Sequence, residues 1–283
     1  MKLPDINPSQ EEQKIVDFIT KTFKDTNKTK AIVAVSGGID STTSLILTTK
    51  ALEPDNVLPI HLPTKTSDPK NTKDSLLSIK STHIPDTNIT TINIGSIIQK
   101  SWKIIKHYSK NSPHYKKGES NKKEKNAAII KANQLRLANL QARIRMMLIY
   151  DHAKKNDALV VGTENLSEHM LGYFTRFGDE ASDIEPIRHL YKTQVYDLAK
   201  HLDVPQEIIN KKPSADLWKG QTDEKELGFS YLQADPILYL LHQEKSLEEI
   251  TKEGFDNSLV EKIIDRVETY SFKHQTPHLN LES

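Results

Sequence analysis

The run AIVAV at residues 31–35, which stops at the loop SGGIDS at 36–41, limits the fold of this chain more than any other stretch. Its apolar residues are unbroken and mostly β-branched. That is the pattern of a strand buried on both faces, and such strands belong to parallel sheets covered by helices. The segment TTSLILTTKAL that follows reads as a helix leaving the loop. Two more apolar runs, VLPIHLP (57–63) and ITTINI (89–94), are separated by a segment at 69–82 that suits a crossover helix. A fourth run, ALVVGT (158–163), ends in another loop. This order predicts an α/β fold built on a doubly wound parallel sheet.

Ligands of such sheets sit beyond the carboxyl ends of the strands, so Ser36, Gly37, Gly38, Ile39, Asp40 and Ser41 lie where a ligand would be held. The two glycines allow unusual backbone angles and close approach, so successive N–H groups point into one concavity; the helix that follows adds its positive end. Ser36 and Ser41 supply hydroxyl donors. Asp40 is too acidic to face a phosphate directly and makes sense as a ligand for Mg²⁺ bridging phosphates. A Gly-Gly turn with an Asp helix cap is the plainer alternative.

Lys plus Arg (39) and Asp plus Glu (38) nearly cancel, which argues against nucleic acid or an anionic membrane as the main partner. No apolar run reaches the roughly eighteen residues of a membrane span, and MKLPDINPSQ lacks the order of a signal peptide, so a soluble, cytoplasmic protein is expected. The absence of cysteine removes disulfides, thiolate zinc sites and sulfur-transfer chemistry. Only six of the 39 cations are arginine, and five of these (Arg136, Arg143, Arg145, Arg176, Arg188) fall between 136 and 188. Arginine here looks placed, for its fork suits phosphate or carboxylate; helix packing is the other reading, above all for Arg136 and Arg145.

A first helix is expected from Pro8 to about Lys24, with Ile15, Phe18, Ile19 and Phe23 recurring at helical spacing. Residues 103–125 carry eight lysines against two glutamates and read as a loop, either a lid that gathers phosphates or a solvated insertion. A long helix follows over 127–155. It is apolar on more than one face, which places it in the core or against a second subunit. Short helices are expected at 193–201 and 205–210, three more from 230 onward, and a coil tail at the end.

The loop is neither GxxxxGKS nor GxGxxG. It resembles the pyrophosphate loop of the N-type ATP pyrophosphatases, which split ATP between its α and β phosphates, adenylate an oxygen of the substrate and let a nucleophile displace AMP. Three further stretches resemble the ammonia-dependent NAD synthetase family within that group: NLQARIRMMLIY (139–150), GTENLSEHMLGYFTRFGDEASDIEPIRHLYKTQVYDLAKHL (162–202) and KKPSADLWKGQTDEKELGFSYLQAD (211–235). They stand in the family's order and cover nearly the whole chain. A GMP or tRNA lysidine synthetase core shares the loop, as does a non-catalytic nucleotide sensor, but neither calls for the three long stretches.

The resemblance implies an adenine-nucleotide α-hydrolase-like (Rossmann-like) fold forming one NAD synthetase domain over 1–283. Residues 1–202 would be the nucleotide-binding core, and 203–283 a lid segment with C-terminal helices. It implies ATP-dependent amidation of nicotinic acid adenine dinucleotide (deamido-NAD) by free ammonia, with Mg²⁺ as cofactor, in a homodimer. Asp40 and Glu168 would hold the metal, with Thr163 near the ATP and Lys192 and Ser214 on its phosphates. A first-turn helix acid is the other reading of Glu168. The dinucleotide would be met by Arg143, Arg176, Asp183, Glu226 and Lys273. Asp179 and Asp183 would orient the nicotinate end or help ammonium lose its proton, or else shape a turn. The sequence departs from the family's pattern at Glu180 and at Ala138, both often Gly, and at Phe272, where a histidine commonly precedes the lysine matched by Lys273.

Overall fold

The computed structural model describes residues 2–64, 69–110, 122–218 and 220–275. Among these residues the sheet has four strands, β1 (Lys30–Ala34), β2 (Val57–His61), β3 (Thr90–Thr91) and β4 (Ala158–Val161), in the order β3-β2-β1-β4. All three pairings are parallel, with Ala31 opposite Val57, Ile32 opposite Val160, and Ile60 opposite Thr90. The chain therefore moves outward from β1 through β2 to β3 and then crosses back to β4 on the other side of β1. The order reverses between β1 and β4, which is the switch point where doubly wound sheets open a crevice.

The helices are α1 (Pro8–Asp25), α2 (Ile39–Leu52), α3 (Pro69–Lys80), α4 (Gly95–Lys110), α5 (Lys122–Asn156), α6 (Leu166–Met170), α7 (Lys192–His201), α8 (Gln206–Ile209), α9 (Asp223–Leu227), α10 (Tyr231–His242), α11 (Leu247–Lys252) and α12 (Asn257–Tyr270). Alternation along the strands assigns the layers. Ala31, Val33 and Val57 turn to one face with Ile15, Ile19 and Phe23 of α1, Leu45 and Leu47 of α2, and Val195 and Leu198 of α7. Ile32, Leu58, Ile60 and Val160 turn to the other, against Ile94, Ile98 of α4, and Ile144, Ile149 and Ala153 of α5. A separate apolar cluster joins Leu171 and Tyr191 to α10, α11 and α12.

Most of the expected elements form where the apolar periods place them. Asn7 caps α1 by accepting from the Gln10 N–H at 3.2 Å, with Pro8 opening the helix. Phe18 is the exception in α1: it is exposed beside the buried stripe. Helix α2 lies in the interior despite four threonines and two serines, because small side chains permit close packing and back-bonds satisfy the hydroxyls of Ser41, Thr42, Thr48 and Thr49. Thr48 donates to the Ser44 carbonyl at 2.6 Å and Thr49 to that of Leu45 at 2.8 Å. The loop expected at 103–125 is corrected at both ends: α4 runs to Lys110 and α5 begins at Lys122, while 111–121 lie outside the described residues. Its apolar residues Ile104 and Ile105 extend the period of α4. The tail folds into a 3-10 turn at Ser271–His274, and 276–283 are outside the described residues.

Candidate active site

The loop after β1 is built as an anion nest. Gly37 takes φ +74°, and a Cβ there would stand 2.7 Å from the Ser75 nitrogen and 2.8 Å from the Asn71 carbonyl oxygen, so α3 closes over the bare backbone. The Ser36 hydroxyl accepts the Gly38 N–H at 3.2 Å and contacts the Ser41 hydroxyl at 3.0 Å. Gly38 is the N-cap of α2 in extended conformation, with no side-chain cap bond. Both serines thus brace the turn, and the first turn of a 14-residue helix opens onto it. Lys211 adds a cation: its ammonium donates to the Gly37 carbonyl at 2.8 Å and pairs with the buried Asp74 at 2.9 Å.

Asp40 stands in the first turn of α2, Glu168 in that of α6 beyond β4, and Lys192 at the start of α7. The β1–β4 adjacency brings the three together. Lys192 Nζ donates to Asp40 Oδ2 and, at 2.9 Å, to Glu168 Oε1, and the lysine is only 2 % exposed. Asn165 bridges the elements. Its amide donates to Asp40 Oδ1 at 2.9 Å, while its oxygen caps α6 by accepting the Glu168 N–H at 3.0 Å. Glu168 is therefore both a first-turn helix acid and a member of this cluster.

Burial alone would lower the Lys192 ammonium's pKa, but Asp40, Glu168 and Asp223 outweigh it and hold it well above its usual range. Burial, with Asp40 and Asp223 beside it, pushes the Glu168 carboxyl up against the pull of Lys192. Burial likewise raises Asp223, whose Oδ1 accepts no hydrogen bond among the described residues while Oδ2 takes the Tyr231 hydroxyl at 3.2 Å. Three carboxylates thus surround one ammonium, leaving an excess of negative charge. Two of them converge from different helices on one point, a donor set that fits a hard divalent cation whose other ligands are phosphate oxygens and water.

A polar support lies behind Lys192. Asp235, fully buried, accepts from Ser167 Oγ at 2.6 Å and from the Thr193 N–H at 2.8 Å, locking α10 to α6 and α7. Ser167 Oγ also accepts the Lys192 N–H at 2.8 Å, and the Lys192 ammonium lies 5.4 Å from the centre of the Tyr231 ring.

The structure gathers some of the expected contacts and not others. Thr163 is half-buried in the loop after β4. Ser214 is exposed and turns its hydroxyl into its own loop, donating to the Gln221 carbonyl at 2.8 Å. Arg143 and Arg176 meet: Arg143 Nε donates to the Arg176 carbonyl at 3.2 Å. Arg143 also lines a cavity of about 230 Å³ with Trp102, Arg136 and Asn139. Lys273 donates to the Gly172 and Phe174 carbonyls, both at 2.6 Å, and burial brings its ammonium down to about 8. Glu226 accepts from Tyr173 of the same 172–177 loop and from Gln221 at 2.9 Å. Asp179 takes the Thr175 N–H at 3.1 Å, a turn contact, and Glu180 takes that of Phe177 at 3.1 Å, so its carboxylate caps this turn. Asp183 stands apart from the Lys192 cluster. Its carboxylate accepts the Val160 N–H at 2.7 Å on the free edge of β4, next to the bridge between Val161 and Ile184. Arg145 packs inward and donates to the Leu62 carbonyl at 3.2 Å.

Sequence reasoning missed Asn165, Lys211, Asp223 and Asp235. Asn165 alone carried a signal, an Asn opening a short helix as its N-cap; the others depend on contacts across long separations in the chain.

Fold and site together are those of an α/β nucleotide-binding enzyme. A family model described as NAD synthase matches residues 11–277, and the chain belongs to that family. It is 39 % identical to the NH(3)-dependent NAD(+) synthetase of Fusobacterium nucleatum over 274 residues, 96 % of each chain, and 36 % identical to that of Helicobacter pylori over 268 residues, covering 93 % of this chain and 92 % of the other. Among solved structures, an NH3-dependent NAD synthetase from Campylobacter jejuni superposes with a TM-score of 0.72 at 28 % identity, covering 97 % of this chain and all of the other. An NMN synthetase from Francisella tularensis superposes at 0.77 and 28 %, covering 98 % of this chain and all of the other.

Proposed function

We propose that this enzyme is a ligase that amidates deamido-NAD with ammonia at the expense of ATP, giving NAD, AMP and pyrophosphate in the cytoplasm. The observation that carries the reading is the meeting of Asp40, Glu168 and Lys192 at the mouth of the glycine loop, in a chain aligned end to end with NH(3)-dependent NAD(+) synthetases.

ATP is held with its phosphates in the 36–41 nest, against the first N–H groups of α2. Asp40 and Glu168 are the residues that would hold Mg²⁺, which supplies charge neutralisation for the departing pyrophosphate. In that state Lys192, released from one or both carboxylates, is free to meet phosphate oxygens, and Lys211 adds a second cation at Gly37. Arg176 lies within the 172–177 loop, Arg143 and Lys273 donate to that loop's carbonyls, and the three cations suit the anionic dinucleotide. The nicotinate carboxylate attacks the α phosphorus, because a carboxylate must be converted to an acyl-adenylate before an amine can displace its oxygen. Ammonia then displaces AMP. The protein contributes mainly position and preorganised charge. The chain forms a homodimer through the outer face of α5.

The test is a substrate comparison, since one similar structure is named for a mononucleotide product. The dinucleotide should exceed nicotinic acid mononucleotide by about a hundredfold or more in kcat/KM, as expected when a second nucleotide half is bound by placed cations. Preference for the mononucleotide would overturn the reading.

A further inference from the structure

Next to Asn165 of the nucleotide cluster, the segments after β4 bring together two carboxylates, the buried Glu164 and the half-buried Glu185. Gly162 makes this possible: a Cβ there would fall 2.0 Å from Glu185 Oε1, so the bare glycine lets the Glu185 side chain lie on the backbone. Glu185 accepts the Glu164 N–H at 3.2 Å and the Ser182 hydroxyl at 2.6 Å. The Glu164 side chain is only 5 % exposed, and neither of its oxygens accepts a hydrogen bond among the described residues. Its ion-pair partners, Arg188 Nη1 at 3.5 Å and His169 Nδ1 at 3.6 Å, stand off beyond normal hydrogen-bond length, and Arg188 Nη2 is already committed to the His169 ring at 2.7 Å. A buried carboxylate with neither oxygen satisfied is costly and calls for a donor that enters from outside.

Glu185 also lines an open surface pocket of about 400 Å³ between α1 and the 185–189 segment, with Glu11, Lys14, Phe18, Pro186 and His189 around it. Lys14 pairs with Glu11 at 3.2 Å, which leaves Glu185 as the pocket's unbalanced acid, and the lining is partly apolar through Ile15, Phe18 and Pro186. We propose that Glu164 and Glu185 form a binding site for the ammonium ion, reached from this pocket and separate from the path of the two nucleotides. Arg188 stands beside the pair as its one permanent cation, and Glu164 would take up ammonium in exchange for the proton that burial holds on it. Ammonium brings four N–H donors in a tetrahedron, enough to satisfy both Glu164 oxygens and reach Glu185. Mg²⁺ on two carboxylates relies on phosphate oxygens for the rest of its shell, as proposed at Asp40 and Glu168, whereas ammonium needs none because its own N–H groups reach the carboxylates.

The site rests on the amidation reading, and the experiment separates the two. Unmodified enzyme that forms no AMP with ATP and deamido-NAD refutes the amidation itself. With that turnover established, Glu164→Gln should raise the KM for ammonium by about tenfold or more, and Glu185→Gln should raise it in the same direction. The KM values for ATP and deamido-NAD, and ammonia-free exchange of labelled pyrophosphate into ATP, should stay within about twofold. An unchanged ammonium KM overturns the site, as does exchange falling in step with overall turnover, which would assign the pair to the nucleotide machinery. If Glu164→Gln does not fold, thermal unfolding of the unmodified protein decides: ammonium chloride should raise Tm where tetramethylammonium chloride at equal ionic strength does not, and equal shifts overturn the proposal.

Discussion

A methyl group at position 37 has nowhere to go. The nearest atoms on α3 are backbone, and φ is +74°. Gly37→Ala should therefore cost about 2–4 kcal/mol of stability and abolish measurable ATP turnover, checked by thermal unfolding and AMP release. At Lys192 the cost is electrostatic. Lys192→Met leaves Asp40 and Glu168 facing each other without a cation, which should destabilise the metal-free protein by about 3 kcal/mol, and Mg²⁺ should restore part of the lost Tm. Glu164 gives a pH signature. Burial, with Asp179 and Glu180 and against Arg188, pushes its carboxyl up to about 8, whereas an unfolded Glu titrates near roughly 4.3. The folded chain keeps the extra proton between those values. The stability this confers is complete below about 4.3 and lost as pH rises through about 8. Glu164→Gln should flatten that decline and raise Tm at pH 8, in chemical denaturation followed across pH 5–9. At this scale the sequence exposed the loop glycines and Asp40, because a strand–Gly-Gly–Asp–helix order is local. Lys192 was expected on phosphate; its pairing with both carboxylates spans 152 and 24 residues and is set by the fold. Asp183 looked chemical in sequence, and its carboxylate instead meets a strand-edge N–H that no local pattern reveals.

Helix α5 carries the clearest conflict between propensity and burial. One side packs Ala138, Ala142, Ile144, Ile149 and Ala153 inward, while Ile130 (66 %), Leu135 (55 %) and Met147 (53 %) stay exposed. Exposed apolar side chains spread along a 35-residue helix suit a subunit contact. Ile130→Glu combined with Leu135→Glu should convert a dimer into monomers in sedimentation velocity at micromolar concentration. A dimer that survives both charges would place the interface elsewhere. The long helix itself was legible from its unbroken apolar content, but its first turns were not, since the lysines of 122–125 hid them. Lysine is a good helix former, and a run of like charge reads as a loop only when no neighbouring element supports it.

For the molecule as a whole, the strand order is decisive. Four apolar runs in the sequence give four strands but not their order; only β3-β2-β1-β4 sets the loop after β1 beside the loop after β4 and so lets Asp40 meet Glu168 across 128 residues. Helix α10 then braces this crevice from behind through Asp235, a link invisible in sequence because a lone Asp in an apolar helix carries no periodic signal. On the proposed function, this crevice splits ATP between its α and β phosphates to activate a carboxylate. A single reaction tests it: ATP, Mg²⁺, ammonium and deamido-NAD, with nucleotide products resolved by ion-pair chromatography over the first turnovers. NAD and AMP should form in equal amounts, with one pyrophosphate each. ADP and inorganic phosphate in place of AMP, or AMP formed without NAD while ammonium is saturating, would contradict it.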